Sequence, residues 1–271
     1  METNIGLVGT GRLGGSFALA LHSSNILSWV CNKSGNVFSD ENTYQFSELT
    51  KEHIDLVDII GILTTDTTIE EIANQLSVQF GTLLNEKCIF HCSGSKTVSI
   101  LSSLSTFGAY TAAIHPYQTF PYASEQLLQS IPWFVECDNE SFLRIEPMLN
   151  FFKAVVYRSP RFLTETEKLQ WHSSAVISSN FTATLYEIAH QIIHSLGIEN
   201  SNEFIYSIAK QTIENANLSL KEKGSIEMSG PIVRGDFETV LKEIEALNAI
   251  NPLFGSVFEQ LSTATKLLQK R

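Results

Sequence analysis

The sequence is short of positive charge: 18 Lys and Arg stand against 29 Asp and Glu, a formal net charge of −11 at pH 7. Non-specific nucleic-acid binding needs a basic surface, so that class is excluded, although a local basic pocket for a phosphorylated ligand is not. Cysteine is scarce as well. Cys31, Cys88, Cys92 and Cys137 show no metal-ligand spacing, and a chain this long needs no covalent staples, which predicts reduced thiols in a cytoplasmic protein. No apolar run approaches the roughly 18 residues of a membrane span, and no signal segment is expected ahead of a strand that starts at Asn4. Repeats and low-complexity tracts are also missing. What remains is a chain of 271 residues, 43% apolar and 17% charged, enough for one large domain or two smaller ones.

The first half alternates short apolar runs with helical patterns. Strands are predicted over residues 4–8, 27–31, 57–63, 87–91, 109–114, 132–136 and 154–157, with helices over 13–22, 67–80 and between the last two strands. Such alternation gives a mostly parallel sheet with helices on both faces. Beyond Arg158-Ser159-Pro160 no strand pattern follows. Residues 164–196 read as one long helix, with Thr164 and Glu167 as a capping box and Gly197 as the stop. Further helices are predicted over 201–221, 236–248 and 252–268. The expected division is therefore a Rossmann-type α/β domain over 1–160 and an all-helical domain over 161–271. The long helix would measure about 50 Å and carries apolar residues around much of its girth, so part of it is expected to pack against a second subunit.

Gly9-Thr10-Gly11-Arg12-Leu13-Gly14 fits G-x-G-x-x-G, directly after a strand and opening a helix. Gly9 makes the tight turn, Gly11 admits a pyrophosphate to the backbone, and Gly14 lets the helix pack on the strand. Free N–H groups at the helix start then hold the pyrophosphate. NAD enzymes place an acid at the end of the second strand to bind the ribose 2′-hydroxyl. Here the chain reads Cys31-Asn32-Lys33-Ser34. Lys33 can pair with a 2′-phosphate, Asn32 and Ser34 can hydrogen-bond it, and Arg12 lies near. NADP(H) is expected.

Ligands of open α/β sheets bind outside the carboxyl ends of the strands. Thr64 and Thr65 follow the third strand and Ser93 and Gly94 the fourth, which suits a nicotinamide half. Asp66 reads as a helix cap. His115 and Pro116 follow the next strand as substrate-pocket residues. On the long helix, His172 is the candidate general acid, because imidazole titrates near neutrality, and Asn180 lies eight residues on in position to orient a substrate. Arg234, in the constrained run Ser229–Asp236, can clamp an acidic group, with Asp236 beside it able to cap the following helix. His190 and His194 form an i, i+4 pair that reads as a solvated face, and no metal is expected.

These residues together resemble a bacterial family of two-domain proteins, with a Rossmann-like NADP-binding domain followed by a helical domain of unknown function. The likeness rests on Gly9–Gly14, Ser93-Gly94, His115-Pro116 with Phe120, His172 through Asn180-Phe181, and Gly230-Pro231 through Arg234-Gly235-Asp236. That family stands near pyrroline-5-carboxylate reductase, 6-phosphogluconate dehydrogenase and deazaflavin-dependent NADP oxidoreductases. The resemblance implies a helix-swapped homodimer with its active cleft between the domains. In one respect the chain departs from the hydroxyacid dehydrogenase relatives: Lys168 is followed four residues on by His172, not by asparagine. The expected function is an NADP(H)-dependent oxidoreductase acting on a small carbonyl, imine or hydroxyl substrate, and the alternative is a non-catalytic NADP(H)-binding sensor or scaffold. A reductase with a second redox cofactor such as a deazaflavin is a further reading.

Overall fold

In the computed structural model the described residues are 3–32 and 42–269. Branched and aromatic residues build eight strands: β1 (Ile5–Val8), β2 (Leu27–Cys31), β3 (Thr43–Tyr44), β4 (Ile59–Ile62), β5 (Cys88–His91), β6 (Tyr110–Pro116), β7 (Pro132–Glu136) and β8 (Val155–Arg158). They form one sheet in the order β3-β2-β1-β4-β5-β6-β7-β8. All neighbours run parallel except β6 and β7, where His115 sits opposite Phe134 and Pro116 opposite Trp133. The first strand pairs with β2 on one side and β4 on the other. The strand order reverses there, opening a crevice at the carboxyl ends.

Alternation along the strands feeds two cores. Ile5 and Leu7 of β1, Ile59 of β4 and Phe90 of β5 enter one cluster with Phe17, Trp133 and Phe152. Their neighbours Val8, Ile60 and Ile89 enter the other with Trp29, Ile54 and Leu76. The helices α1 (Arg12–Ser23) and α5 (Asn139–Phe151) supply residues to the first cluster, while α2 (Lys51–Asp55), α3 (Ile69–Phe80) and α4 (Ser102–Ser105) supply the second. This is the Rossmann-type arrangement the alternating pattern predicts. Residues buried from both faces explain why the strands read as near-continuous apolar runs.

The helical region contains α6 (Glu165–Val176), α7 (Thr182–Ser195), α8 (Ser201–Lys223), α9 (Pro231–Arg234), α10 (Phe237–Ile250) and α11 (Pro252–Leu268). The chain divides into two compact units, 1–176 and 177–271. The capping box forms: Glu167 accepts from the Thr164 backbone N–H at 2.9 Å, and Thr164 Oγ1 accepts from Glu167 N at 3.3 Å. The long helix predicted over 164–196 forms as helical turns from Glu165 to Ser195, but not as one α-helix. A π turn at Ile177–Phe181 separates α6 from α7. Hydroxyls compete for carbonyls around it: Thr182 donates to Ser178 O and Thr184 to Asn180 O. Among the described residues no helix is long and apolar enough to cross a membrane.

Candidate functional site

The glycine turn joins β1 to α1 and its geometry assigns each glycine a task. Gly9 has φ +101°, and a Cβ there would stand 2.6 Å from the Leu63 carbonyl oxygen. A Cβ on Gly14 would stand 2.1 Å from the Gly9 carbonyl oxygen, so only glycine lets α1 start this close to the turn. At Gly11, by contrast, a Cβ would meet nothing within 4 Å. That open direction at a helix N-terminus is a cradle for an anion. Thr10 and Asn32 are tied together, Asn32 Nδ2 donating to Thr10 Oγ1 at 3.1 Å. A cavity of about 1360 Å³ runs from Gly9 and Thr10 past Asn32 and Phe46 to Thr64, Thr65 and α3. Beside it Thr64 Oγ1 is buried without a hydrogen-bond partner. Arg12 and Leu13 open α1 itself. Lys33 and Ser34 lie outside the described residues.

Beyond the turn, the loop after β5 folds on its own hydroxyls. Ser93 Oγ accepts from the backbone N–H groups of Ser95 and Lys96. Ser95 Oγ donates to Asp66 Oδ2 at 2.6 Å. Asp66 therefore does not cap α3, whose N-cap is Thr68. Its carboxylate braces the Ser93–Ser95 loop instead, because a charge-assisted bond to a hydroxyl outweighs an exposed cap.

Gly94 lies over His115, where a Cβ would fall 2.8 Å from Nε2. His115 belongs to β6 rather than following it. Its Nδ1 accepts from the Trp171 indole N–H at 3.3 Å. That assigns the ring proton to Nε2, which has no protein partner among the described residues. Burial, with the Lys168 ammonium acting in the same direction, pushes the His115 pKa down to about 4, so the ring is neutral. Trp171 in turn stacks on Phe134 with ring centroids 4.2 Å apart. One helical turn earlier, Lys168 Nζ lies 3.5 Å from Glu136 Oε2, with both side chains buried. Tyr117 and Ser174 add a hydroxyl pair at 3.0 Å. Spacing of three and six residues puts Lys168, Trp171 and Ser174 on one side of α6. The His172 ring lies 6.1 Å from that of His115, and its Nδ1 is buried without a partner.

Thus Ser93, Gly94, His115, Pro116 and His172 all stand within the first unit, with the glycine turn and Thr64. Asn180, Arg234 and Asp236 belong to the second. Asn180 sits in the π turn, its Oδ1 accepting from Ser179 Oγ. Arg234 ends the short helix α9 between Gly230 (φ +107°) and Gly235 (φ +77°). It makes no ion pair among the described residues. Asp236 caps α10, accepting from Thr239 N at 3.3 Å and Thr239 Oγ1 at 2.8 Å. His190 Nδ1 pairs with Ser201 Oγ. Among the described residues no group of three His, Cys, Asp or Glu can hold a metal ion.

Residues 131–265 match the family model for a domain of unknown function, DUF2520. This match begins at β7 and runs through α6 to α11, so Glu136, Lys168, Trp171, His172, Asn180 and Arg234 all fall within the matched residues. No curated protein sequence matches the chain. Among solved structures, a Thermotoga maritima protein is 21% identical over 98% of this chain and 100% of its own, with a TM-score of 0.63. An imine reductase from Myxococcus stipitatus in complex with NADP+ is 13% identical over 98% and 94%, with a TM-score of 0.71. Plasmodium falciparum pyrroline carboxylate reductase with NADP bound is 13% identical over 98% and 99%, with a TM-score of 0.60. These likenesses establish a Rossmann-type α/β sheet followed by a helical region. Sequence reasoning missed the Lys168–Glu136 pair that ties α6 to β7, the Trp171–His115 bond and the Asp66–Ser95 bond. The available signal was Trp171 and His172 placed three and four residues after a lysine on one helix.

Proposed function

We propose that the chain is an NADP(H)-dependent oxidoreductase acting on a small carbonyl, imine or hydroxyl substrate. The observation that carries this reading is the turn at Gly9–Gly14: two glycines are required by close backbone contact, while the third faces open space where a diphosphate fits. The orphaned Thr64 hydroxyl supplies a hydrogen-bonding group beside the cavity that Gly9 and Thr10 line. The absence of an acid at Cys31-Asn32 and the NADP bound in structural neighbours support NADP(H) over NAD(H). Gly9, Thr10, Gly11, Arg12, Leu13 and Gly14 would hold the pyrophosphate region, and Asn32, Lys33 and Ser34 the ribose phosphate. Thr64, Thr65, Ser93 and Gly94 would line the nicotinamide end. When bound, the nucleotide supplies or accepts the hydride.

The protein's own part is orientation and a proton. His172, with its unpartnered Nδ1 beside His115, is the group we assign to proton transfer. His115 and Pro116 form the substrate wall. Asn180 orients the substrate and Arg234 anchors an acidic group, with Asp236 beside it on the substrate side of the same loop. In this reading residues 1–160 bind the dinucleotide and residues 161–271 complete the substrate site and a homodimer interface. Calorimetry with NADPH and NADH tests the first step. Micromolar NADPH binding is expected, and no affinity for either nucleotide would remove the reading. Turnover lost in His172→Ala, with NADPH affinity kept, tests the proton assignment.

A further inference from the structure

The described residues of the first unit gather donors, not free carboxylates, around His115. Two carboxylates stand in the region and both are engaged. Asp66 accepts from Ser95 Oγ at 2.6 Å. Glu136 is held between the Lys168 ammonium at 3.5 Å and the Val98 backbone N–H at 3.3 Å. The His115 ring is a neutral imidazole whose Nδ1 is consumed by Trp171. Its Nε2–H has no protein partner among the described residues, and Gly94 packs against that edge of the ring, where a Cβ would fall 2.8 Å from Nε2.

Reduction of a carbonyl and reduction of an imine place opposite demands on such a site. A carbonyl gathers negative charge on oxygen as its carbon is reduced, and fixed N–H donors stabilise that charge. An imine is reduced as the protonated iminium cation, which a free carboxylate stabilises and a nearby ammonium opposes. The first unit offers the donor, and both carboxylates near it are already engaged.

We propose that His115, locked by Trp171 with its Nε2–H free, is the hydrogen-bond donor to a substrate oxygen, which selects a carbonyl–alcohol couple rather than an imine–amine couple. Trp171 is then a positioning residue, acting only through the ring it orients. Because burial holds its pKa down at about 4, the imidazole is a neutral donor with one ring proton throughout the neutral range. His172 keeps the separate task of exchanging a proton. The inference rests on the oxidoreductase reading for its substrate, but not for its tautomer.

Two measurements on the full chain test it. Nitrogen-15 NMR of labelled histidine, without nucleotide, should give His115 as the Nε2–H tautomer from pH 5.5 to 9. In Trp171→Phe that preference should relax toward a mixture. A His115 found as Nδ1–H, or charged at pH 6, overturns the proposal whatever the nucleotide does. With NADPH, a matched panel of small carbonyls and cyclic imines should give kcat/KM values at least about tenfold higher for carbonyls. His115→Phe should lose about 100-fold on carbonyls while NADPH affinity holds, and His115→Gln, which restores an N–H, should recover part of it. Faster imine reduction, an unchanged His115→Phe, or NADPH binding with no carbonyl turnover would each overturn the proposal. Absence of NADPH binding would instead strike the oxidoreductase reading and leave the tautomer result standing.

Discussion

Lys168 reaches Glu136 from α6 to the end of β7, and neither side chain meets solvent. Burial lowers the lysine pKa, and the carboxylate opposes that shift. Removing one partner from such a pair leaves an uncompensated charge in the core, which costs about 3–5 kcal/mol. Glu136→Gln and Lys168→Met should each destabilise the protein by about that much. The joint replacement Lys168→Met with Glu136→Leu should cost clearly less than the two singles together, because apolar residues of similar volume fill the site without a charge to solvate. Urea unfolding followed by tryptophan fluorescence measures all three. Single variants as stable as the parent would mean that water reaches the pair.

His91 lies at the carboxyl end of β5, fully buried, with Nε2 donating to Thr97 O at 3.1 Å and Nδ1 accepting from Ser93 N at 3.1 Å. Burial drives its pKa down to about 4 from an ordinary 6.5. Between those values the unfolded chain binds the extra proton and the folded chain does not. Stability therefore rises with pH across that window, and is lost as pH falls from 6.5 to 4. For this one group the loss is about 3 kcal/mol. His115 adds a contribution of the same sign. Unfolding free energies measured from pH 4 to 7 should fall more gently with acid in His91→Gln than in the parent. Equal slopes would remove His91 from the acid response.

Gly11 and Gly14 separate binding from folding. A methyl group at Gly14 would enter the Gly9 carbonyl, so Gly14→Ala must shift α1 away from β1 and should lower both the melting temperature and nucleotide affinity. At Gly11 the backbone has φ −60° and no atom within 4 Å of a new Cβ. Gly11→Ala should therefore melt near the parent, yet lose about tenfold or more in NADPH affinity, since the methyl group fills the space an oxygen of the diphosphate needs. Thermal denaturation and calorimetry on both variants check this. Equal NADPH affinity in Gly11→Ala and the parent would place the diphosphate elsewhere.

Legibility followed sequence distance. The glycine turn, the seven longer strands and the capping box at Thr164 are local patterns, each contained within a dozen residues, so periodicity and spacing were enough. The two-residue strand β3 at Thr43–Tyr44 carries no pattern at all. At the site, His115 and Gly94 could be placed at strand ends, but the contacts that set their chemistry were out of reach. Trp171 is 56 residues from His115 and Glu136 is 32 from Lys168. A lone helical lysine reads as solvated, because burial of its charge depends on a partner that only the folded sheet supplies. The π turn was hidden for a different reason: its apolar residues keep helical spacing on either side, and one added residue hardly disturbs that pattern.

The second unit leaves α8 open on two sides. At 100° per residue, Phe204, Ile208 and Leu218 cluster within about 80° of one another, while Tyr206, Ile213 and Leu220 cluster on the opposite side of the helix. All six are exposed. A helix of a single chain lying on a core needs one apolar stripe; one that is apolar on opposite sides needs cover on both. A second copy wrapped around α8 would supply it, in line with the homodimer we propose. Burying six such side chains would contribute on the order of 10 kcal/mol, enough for association at micromolar concentration after the entropic cost of docking. Sedimentation velocity should therefore give twice the 30.2 kDa chain mass. Ile208→Asp with Ile213→Asp, one on each side, should return the protein to monomer. A parent that sediments as a monomer at tens of micromolar would leave both stripes to solvent and rule out the dimer.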